Sequence, residues 1–143
     1  MSIDTLDAVV AWQRALSSSA TLGCAGGDEP LEITFHGGEP LVVGTAWFRM
    51  ALPRLAHGLG PDLVRFTIQS NLWLLTGELC ELFREHGVSV GTSLDGPAEI
   101  NDMQRGVGYF ARTMAGIEMA RRHGLTVGVI CTVTSRSAPH VAE

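Results

Sequence analysis

The sequence predicts an α/β fold with a parallel sheet, because helix-like and strand-like segments alternate along the chain. Apolar residues recur at helical spacing in four segments, and they alternate or form short runs in four others. The pair His-Gly recurs at 57–58, 86–87 and 123–124, each time where a predicted helix gives way to a predicted strand. Such alternation produces parallel strands joined by right-handed crossovers.

Local signals place the individual elements. Ser2, Thr45 and Thr76 are expected to cap helices, because a side-chain hydroxyl there can accept a bond from an unpaired backbone N–H. Pro53 is expected to kink or break the second helix, because proline has no N–H to donate. The predicted helices cover residues 3–16, 45–57, 77–86 and about 110–123. The predicted strands cover residues 31–35, 63–70, 88–94 and 125–134.

Composition excludes several classes of function. The 143 residues carry a net charge of −5, and all ten basic residues are arginine. The absence of lysine excludes a Walker-type phosphate lysine and a Schiff-base lysine. An acidic chain also lacks the basic face that nucleic acids require. The length suits one domain, 1–143, and no apolar run is long enough to span a membrane. The acidic amino terminus does not resemble a signal peptide, so we expect a cytoplasmic protein.

The three cysteines, Cys24, Cys80 and Cys131, are far apart in the sequence. No pair has the close spacing of metal ligands, so neither a zinc site nor a local disulfide framework is indicated. We expect Cys80 and Cys131 to be small buried apolar groups. Cys24 lies in a glycine-rich stretch and is expected to be exposed.

Ligands of parallel sheets bind where the strands end, so the candidate site lies in the segments that follow each strand. The first segment contains Gly37, Gly38, Glu39 and Pro40. Two glycines let backbone groups approach a ligand closely, and Pro40 favours an extended Glu39. A carboxylate beside exposed carbonyls suits an ammonium group. An ordinary glycine turn with a solvated glutamate fits the same residues equally well.

The next two strand ends are also polar. Gln69 and Asn71 close one apolar strand, and Ser93 and Asp95 close the next. Asp95 could instead bond to its own Asp-Gly turn. Arg105, in the polar stretch 101–106, could hold a ligand carboxylate through two bonds or could simply be exposed. The combination favours an amino-acid-like or nucleoside ligand and does not by itself name a reaction.

These motifs, in this order, resemble the radical S-adenosylmethionine superfamily, and within it the sulfatase-maturating and peptide-modifying branch. The segment 33–41 resembles the family's F-H-G-G-E-P-L, and 68–75 resembles Q-T-N-G-T-L-L. The segment 90–97 resembles S-I-D-G-P, and 101–105 resembles N-D-x-x-R. The resemblance therefore rests on four motifs that occur in the family's order, and it covers roughly residues 31–134.

The resemblance implies a partial (β/α)₆ barrel that binds S-adenosylmethionine across its strand ends. Gly37, Gly38 and Glu39 would receive the amino group, in the segment that Pro40 completes. Ser93 and Arg105 would contact the carboxylate or ribose, and Asp95 would support their loop. The remaining implied contacts are Gln69 and Asn71 beside the cofactor or substrate, and the backbone around Cys131 beside adenine. In this family a [4Fe-4S] cluster cleaves the cofactor to a 5′-deoxyadenosyl radical, which abstracts hydrogen from a protein or peptide.

Two departures from the family pattern stand out. Leu72 occupies a position where glycine is usual, and a leucine does not readily adopt positive φ, so the turn is expected to differ. No cysteine matches the family's C-x-x-x-C-x-x-C, which holds the cluster through thiolates. We therefore expect a fragment that starts after the cluster loop, ends after the fourth visible strand and is inactive alone. A non-catalytic module that binds S-adenosylmethionine or a partner is the alternative, and a flavodoxin-like nucleotide-binding domain is a third possibility. Unpaired sheet edges also predict self-association.

Overall fold

The computed structural model describes residues 2–18 and 30–140 and contains one four-stranded parallel sheet. The strands follow one another across the sheet in the order β1-β2-β3-β4. They are β1 (Leu31–Phe35), β2 (Val64–Gln69), β3 (Ser89–Ser93) and β4 (Val127–Ile130). The predicted α/β class, the parallel pairing and the number of strands are confirmed. Each strand is shorter than predicted or equal to its predicted length.

Five α-helices lie in the described residues, where four were predicted. They are α1 (Ile3–Ser18), α2 (Thr45–Leu59), α3 (Gly77–Glu85), α4 (Ala98–Arg105) and α5 (Tyr109–Arg122). Helix α4 covers most of the polar stretch 101–106, for which the sequence predicted no helix or strand. The residue that α4 buries is the polar Asn101, which is 0% exposed. Without an apolar stripe, the helix leaves no hydrophobic periodicity in the sequence.

The sheet has one apolar face and one polar face. On β2, Val64, Phe66 and Ile68 point into the core, whereas Arg65 and Thr67 alternate with them. Phe48 and Phe83, from α2 and α3, pack edge-to-face at 5.2 Å within that core. The helices therefore cover the apolar face. The opposite face carries polar or small residues, among them Thr34, Thr67, Gln69, Ser89, Gly91 and Gly128, around a cavity of about 300 Å³.

The strand order distinguishes a barrel segment from a doubly wound sheet. Doubly wound sheets reverse the direction of strand progression near their middle, and helices then cover both faces. Here the strands progress in one direction only, which matches an arc of a (β/α) barrel. In a barrel the polar face of this arc would line the interior.

The two edges of the arc, β1 and β4, have no further strand among the described residues. On β4, Val129 and Ile130 are more than half exposed, although their side chains are strongly apolar. Self-association through such edges stays a prediction.

The predicted helix caps are confirmed at two of three positions. The Ser2 hydroxyl accepts a bond from the Thr5 N–H at 3.2 Å, and the Thr76 hydroxyl accepts one from the Leu79 N–H at the same distance. Thr45 is not a cap, because it is already the first residue of α2. Gly44 precedes it at a φ of 78°, a backbone conformation that glycine adopts without strain.

The His-Gly pairs separate into two kinds. His86 and His123 are the residues that cap the carboxyl ends of α3 and α5, and each is followed by a glycine at positive φ. His57 instead lies inside the last turn of α2, which continues to Leu59. None of the described helices is long and apolar enough to cross a membrane.

Pro53 does not break α2, since the helix continues through it to Leu59, so the expected break was wrong. A kink at Pro53 stays a prediction. The Arg49 carbonyl, four residues earlier, consequently has no proline N–H to accept from. We expect Pro53→Ala to raise the free energy of unfolding by about 1–2 kcal/mol, because alanine supplies the missing donor in a good helix former.

Urea unfolding of the wild-type and Pro53→Ala chains measures this difference. Thr45→Pro, at the first residue of α2, is the control and should be nearly neutral, because proline is tolerated at that position and the preceding Gly44 is not helical. A Pro53→Ala chain less stable than wild type would show that Pro53 fits its helix without cost.

Candidate functional site

Glu39 lies in the loop after β1, and its carboxylate connects that loop to the loop after β2. Oε1 accepts bonds from the Ser70 hydroxyl at 2.7 Å and the Leu41 N–H at 3.0 Å. Oε2 accepts one bond, from the Asn71 N–H at 2.9 Å. The backbone at Glu39 is extended, as Pro40 predicts. A solvated glutamate is therefore wrong for this position, since the carboxylate holds two strand ends together.

Gly37 and Gly38 precede this carboxylate, at φ values of 101° and 54°. Both are in the left-handed region, where side chains other than glycine's are strained. A Cβ at either position would meet no atom within 4 Å. Backbone strain, rather than crowding by the protein, therefore explains the two glycines, and the space above them is open to a ligand.

The loop after β2 contains the chain's sole described non-glycine residue at positive φ, Leu72, at 65°. The expectation that leucine would avoid this conformation was wrong. Leu72 is 2% exposed, so burial of its side chain offsets the backbone cost. Two side chains also close the turn: the Ser70 hydroxyl accepts from the Leu72 N–H, and the Asn71 Oδ1 accepts from the Trp73 N–H, each at 2.9 Å.

Gln69 and Ser93 meet on the polar face of the sheet, at the ends of β2 and β3. The Gln69 amide Nε2 donates to the Ser93 hydroxyl at 3.1 Å. Gly91 lies between them on β3, and a Cβ there would collide with the Gln69 amide oxygen. Gly91 thus provides the room that the Gln69 side chain occupies.

Asp95 is buried and pairs with Arg105, which ends α4. The Arg105 Nη2 donates to the Asp95 Oδ1 at 2.8 Å, and its Nε lies 2.6 Å from Oδ2 without hydrogen-bond alignment. The Thr132 N–H donates to Oδ1 at 2.9 Å, which ties in the segment after β4. Burial raises the pKa of Asp95, but the Arg105 and Thr132 bonds outweigh it, so the pKa lies below its ordinary value. Asp95 is thus held as a carboxylate.

The other polar residues of α4 also support this region. The Asn101 Oδ1 accepts from the Asp95 N–H at 3.0 Å. Asp102 accepts from the N–H groups of Gly108 at 2.6 Å and Phe110 at 2.8 Å, where α5 begins. These two backbone bonds lower the pKa of Asp102. The N-D-x-x-R segment thus joins the ends of β3 and β4 to the start of α5.

Cys131 follows β4 and is exposed, whereas it was predicted to be buried. Its strand lies at the edge of the sheet and pairs with β3 on one side, and no described strand lies on the other side. Cys80 is buried as predicted, and burial raises the pKa of its thiol. Cys24 lies outside the described residues. Along residues 2–18 and 30–140, no three His, Cys, Asp or Glu side chains are grouped closely enough to hold a metal ion.

The ten residues predicted to form a site all lie at the carboxyl ends of the strands or beside them. Three direct contacts connect them: Glu39 with Asn71, Gln69 with Ser93, and Asp95 with Arg105. The roles of Ser70, Asn101 and Thr132 were not predicted from the sequence. Asn101 was in the N-D-x-x-R motif, so that motif was the available signal for it.

A parallel (β/α) arc with a polar site at its carboxyl edge defines the class: a barrel protein that binds its ligand across the strand ends. The chain belongs to the radical SAM superfamily, whose family model matches residues 25–136. Membership implies S-adenosylmethionine and a [4Fe-4S] cluster as cofactors. It also removes the flavodoxin-like alternative.

Curated relatives agree with this family. A protein of Methanothermobacter thermautotrophicus, itself uncharacterized, is 46% identical over 137 residues, which is 96% of this chain and 48% of that protein. The serine-type anaerobic sulfatase-maturating enzyme of Bacteroides thetaiotaomicron is 33% identical over 75% of this chain and 27% of the enzyme. The chain therefore spans about half the length of the first relative and about a quarter of the second.

Solved structures support the same fold. The structure of native anSMEcpe with bound AdoMet matches with a TM-score of 0.78 and 24% identity, over 99% of this chain and 37% of that one. At this identity the likeness concerns the fold alone. It confirms the predicted partial barrel.

Proposed function

We propose that this chain forms part of one barrel domain, spanning residues 1–143, and binds S-adenosylmethionine for a radical SAM enzyme that modifies proteins or peptides. The observation that carries the proposal is the set of strand-end contacts around Glu39, Ser93 and Asp95–Arg105. Each of these groups keeps hydrogen-bonding capacity after its contacts within the chain are counted.

Glu39 retains one acceptor site. A carboxylate offers about four lone-pair sites, and the Ser70, Leu41 and Asn71 donors occupy three of them. The fourth is on Oε2, in the same loop as Gly37 and Gly38, above which the space is open. An ammonium group there would donate to Oε2 and to nearby backbone carbonyls, which supports binding of the cofactor's amino group.

Ser93 and Arg105 retain donors. The Ser93 oxygen accepts from Gln69, so its own O–H proton is available to a ligand carboxylate. Arg105 has five N–H donors and gives one aligned bond to Asp95, which fixes the plane of the guanidinium. Asp95 therefore orients Arg105, while the guanidinium donors that do not face Asp95 suit a carboxylate or ribose hydroxyl.

The backbone after β4 would bind adenine in this proposal. The Thr132 N–H is already bonded to Asp95, which holds that segment in place beside the exposed Cys131. Gln69 and Asn71 would face the cofactor or the substrate.

The described residues do not fit the iron–sulfur cluster, since no suitable group of ligands is present among them. When bound, S-adenosylmethionine supplies the group that abstracts hydrogen from the substrate. Binding and orienting that cofactor is the part that this chain's residues support, so we propose that the chain alone is inactive.

The proposed substrate class comes from the relatives. Serine-type and cysteine-type anaerobic sulfatase-maturating enzymes are among them, and one matching structure holds AdoMet together with a Cp18Cys peptide. A protein or peptide substrate is thus the proposal for this chain's full activity.

Titration calorimetry with S-adenosylmethionine tests the binding proposal. Ser93→Ala removes one donor and is expected to weaken binding about fivefold to tenfold, in line with a hydrogen bond to a charged group. Ser89→Ala is the matched control, because Ser89 lies on the same face of the same strand at its opposite end. Equal affinities of the two variants would contradict the proposed site.

A further inference from the structure

The first turns of α5 hold the loop after β2 through one buried hydroxyl. Thr113 is 0% exposed. Its Oγ1 accepts a bond from the Trp73 indole Nε1 at 3.1 Å and donates to the Asn71 carbonyl at 3.3 Å. A buried hydroxyl requires such partners, so these two bonds explain a polar residue on the inner side of α5.

Trp73 is held from two other directions by the same helix. The Arg112 guanidinium carbon lies 3.7 Å from the centre of the indole ring, a cation–π contact. The Tyr109 ring meets the indole edge-to-face at 5.1 Å. Three residues in the first two turns of α5 therefore contact one aromatic side chain of the loop.

Asn71 connects these contacts of α5 to Glu39. Its carbonyl accepts from Thr113, while its N–H donates to the Glu39 Oε2 at 2.9 Å. Both backbone groups of one residue are thus committed, one to α5 and the other to the carboxylate of the loop after β1. The position of the Asn71 N–H fixes which part of Oε2 remains open.

We propose that Thr113 is a positioning residue for the Glu39 carboxylate, acting through the backbone of Asn71, and thereby for the amino group of bound S-adenosylmethionine. This inference rests on the proposed function. Helix α5 contains none of the predicted site residues, yet in this proposal it sets the position of the Glu39 carboxylate.

Two measurements on the full chain test it: amide hydrogen exchange at Asn71, and calorimetric titration with S-adenosylmethionine. Thr113→Val keeps the shape of the side chain and removes the hydroxyl. We expect exchange at Asn71 to accelerate about tenfold and the dissociation constant to rise about threefold to tenfold, as for loss of one or two hydrogen bonds. Thr113→Ser keeps the hydroxyl and should restore both values.

Thr76→Val is the matched control, because it removes a hydroxyl that caps α3 and has no bond to Asn71 or Glu39. If Thr113→Val and Thr76→Val change exchange at Asn71 equally, the hydroxyl of Thr113 has only a general stabilising role and the inference is wrong. If exchange responds as expected but wild type binds no S-adenosylmethionine, the link from Thr113 to Asn71 stands. The proposed function then fails, and the cofactor part of the inference fails with it.

Discussion

Replacing Asp95 by alanine is expected to lower the free energy of unfolding by about 3 kcal/mol, in line with removing one partner of a buried ion pair. The side chain of Asp95 is 3% exposed and that of Arg105 is 23% exposed. Alanine would leave the guanidinium partly buried without its counter-charge and the Thr132 N–H without its acceptor. Urea denaturation at pH 7 measures the loss, and Asp62→Ala, on an exposed turn, is the control.

The same pair gives a pH dependence with a definite sign. Asp95 has a folded-state pKa below its ordinary value of 3.8, so it binds a proton less readily when folded. Its contribution is fully present above that ordinary value and is lost as the pH falls through the lower, folded-state pKa. Between pH 5 and the acid limit of folding, Asp95→Ala should therefore lose less stability than wild type. Parallel curves for the two chains would contradict the role given to Asp95.

Gly116→Ala is expected to destabilise the chain by about 2 kcal/mol, although the same change in an exposed helix stabilises by about 1 kcal/mol. The difference comes from packing between α5 and the loop after β2. A methyl group at Gly116 would lie 2.5 Å from the Leu72 Cβ and 2.8 Å from its carbonyl oxygen. Backbone atoms cannot move aside as a flexible side chain can, so either the helix or the loop must shift.

Thermal unfolding of the wild-type chain and its single and double variants tests this prediction. Ala115→Gly, at an exposed neighbouring position of α5, should show only the ordinary cost of glycine in a helix. Combining Gly116→Ala with Leu72→Gly should give less destabilisation than the sum of the two single changes, because the second removes the colliding Cβ. Additive losses would mean that Leu72 and Gly116 do not interact.

The sheet could be predicted because parallel strands leave a strong local pattern. On β2, apolar residues alternate with polar ones, as expected for a strand with one buried face, and the polar residues that follow it mark the strand end. Helix α4 was missed because the residue that it buries, Asn101, is polar. Cys131 was misplaced because an apolar run does not reveal whether its strand is central or at an edge.

The candidate site was predicted as a set of residues but not as a set of contacts. Glu39 and Asp95 were placed correctly at the strand ends, yet their partners Ser70 and Thr132 are 31 and 37 residues distant. Such long-range bonds depend on strand register, which sequence alone does not specify. Leu72 shows the same dependence, because its burial against α5, which helps to explain its positive φ, is a long-range contact.

The most direct test of the central claim is a titration of the isotope-labelled chain with S-adenosylmethionine, followed by amide chemical shifts. We expect the largest shifts at the carboxyl ends of the strands, in the segments around Glu39, Asn71, Ser93 and Thr132. Amides at the opposite ends, such as those of Arg65 and Ser89, should be unaffected. No shifts at millimolar ligand, or shifts centred on the amino ends of the strands, would contradict the assignment of this edge as the S-adenosylmethionine site.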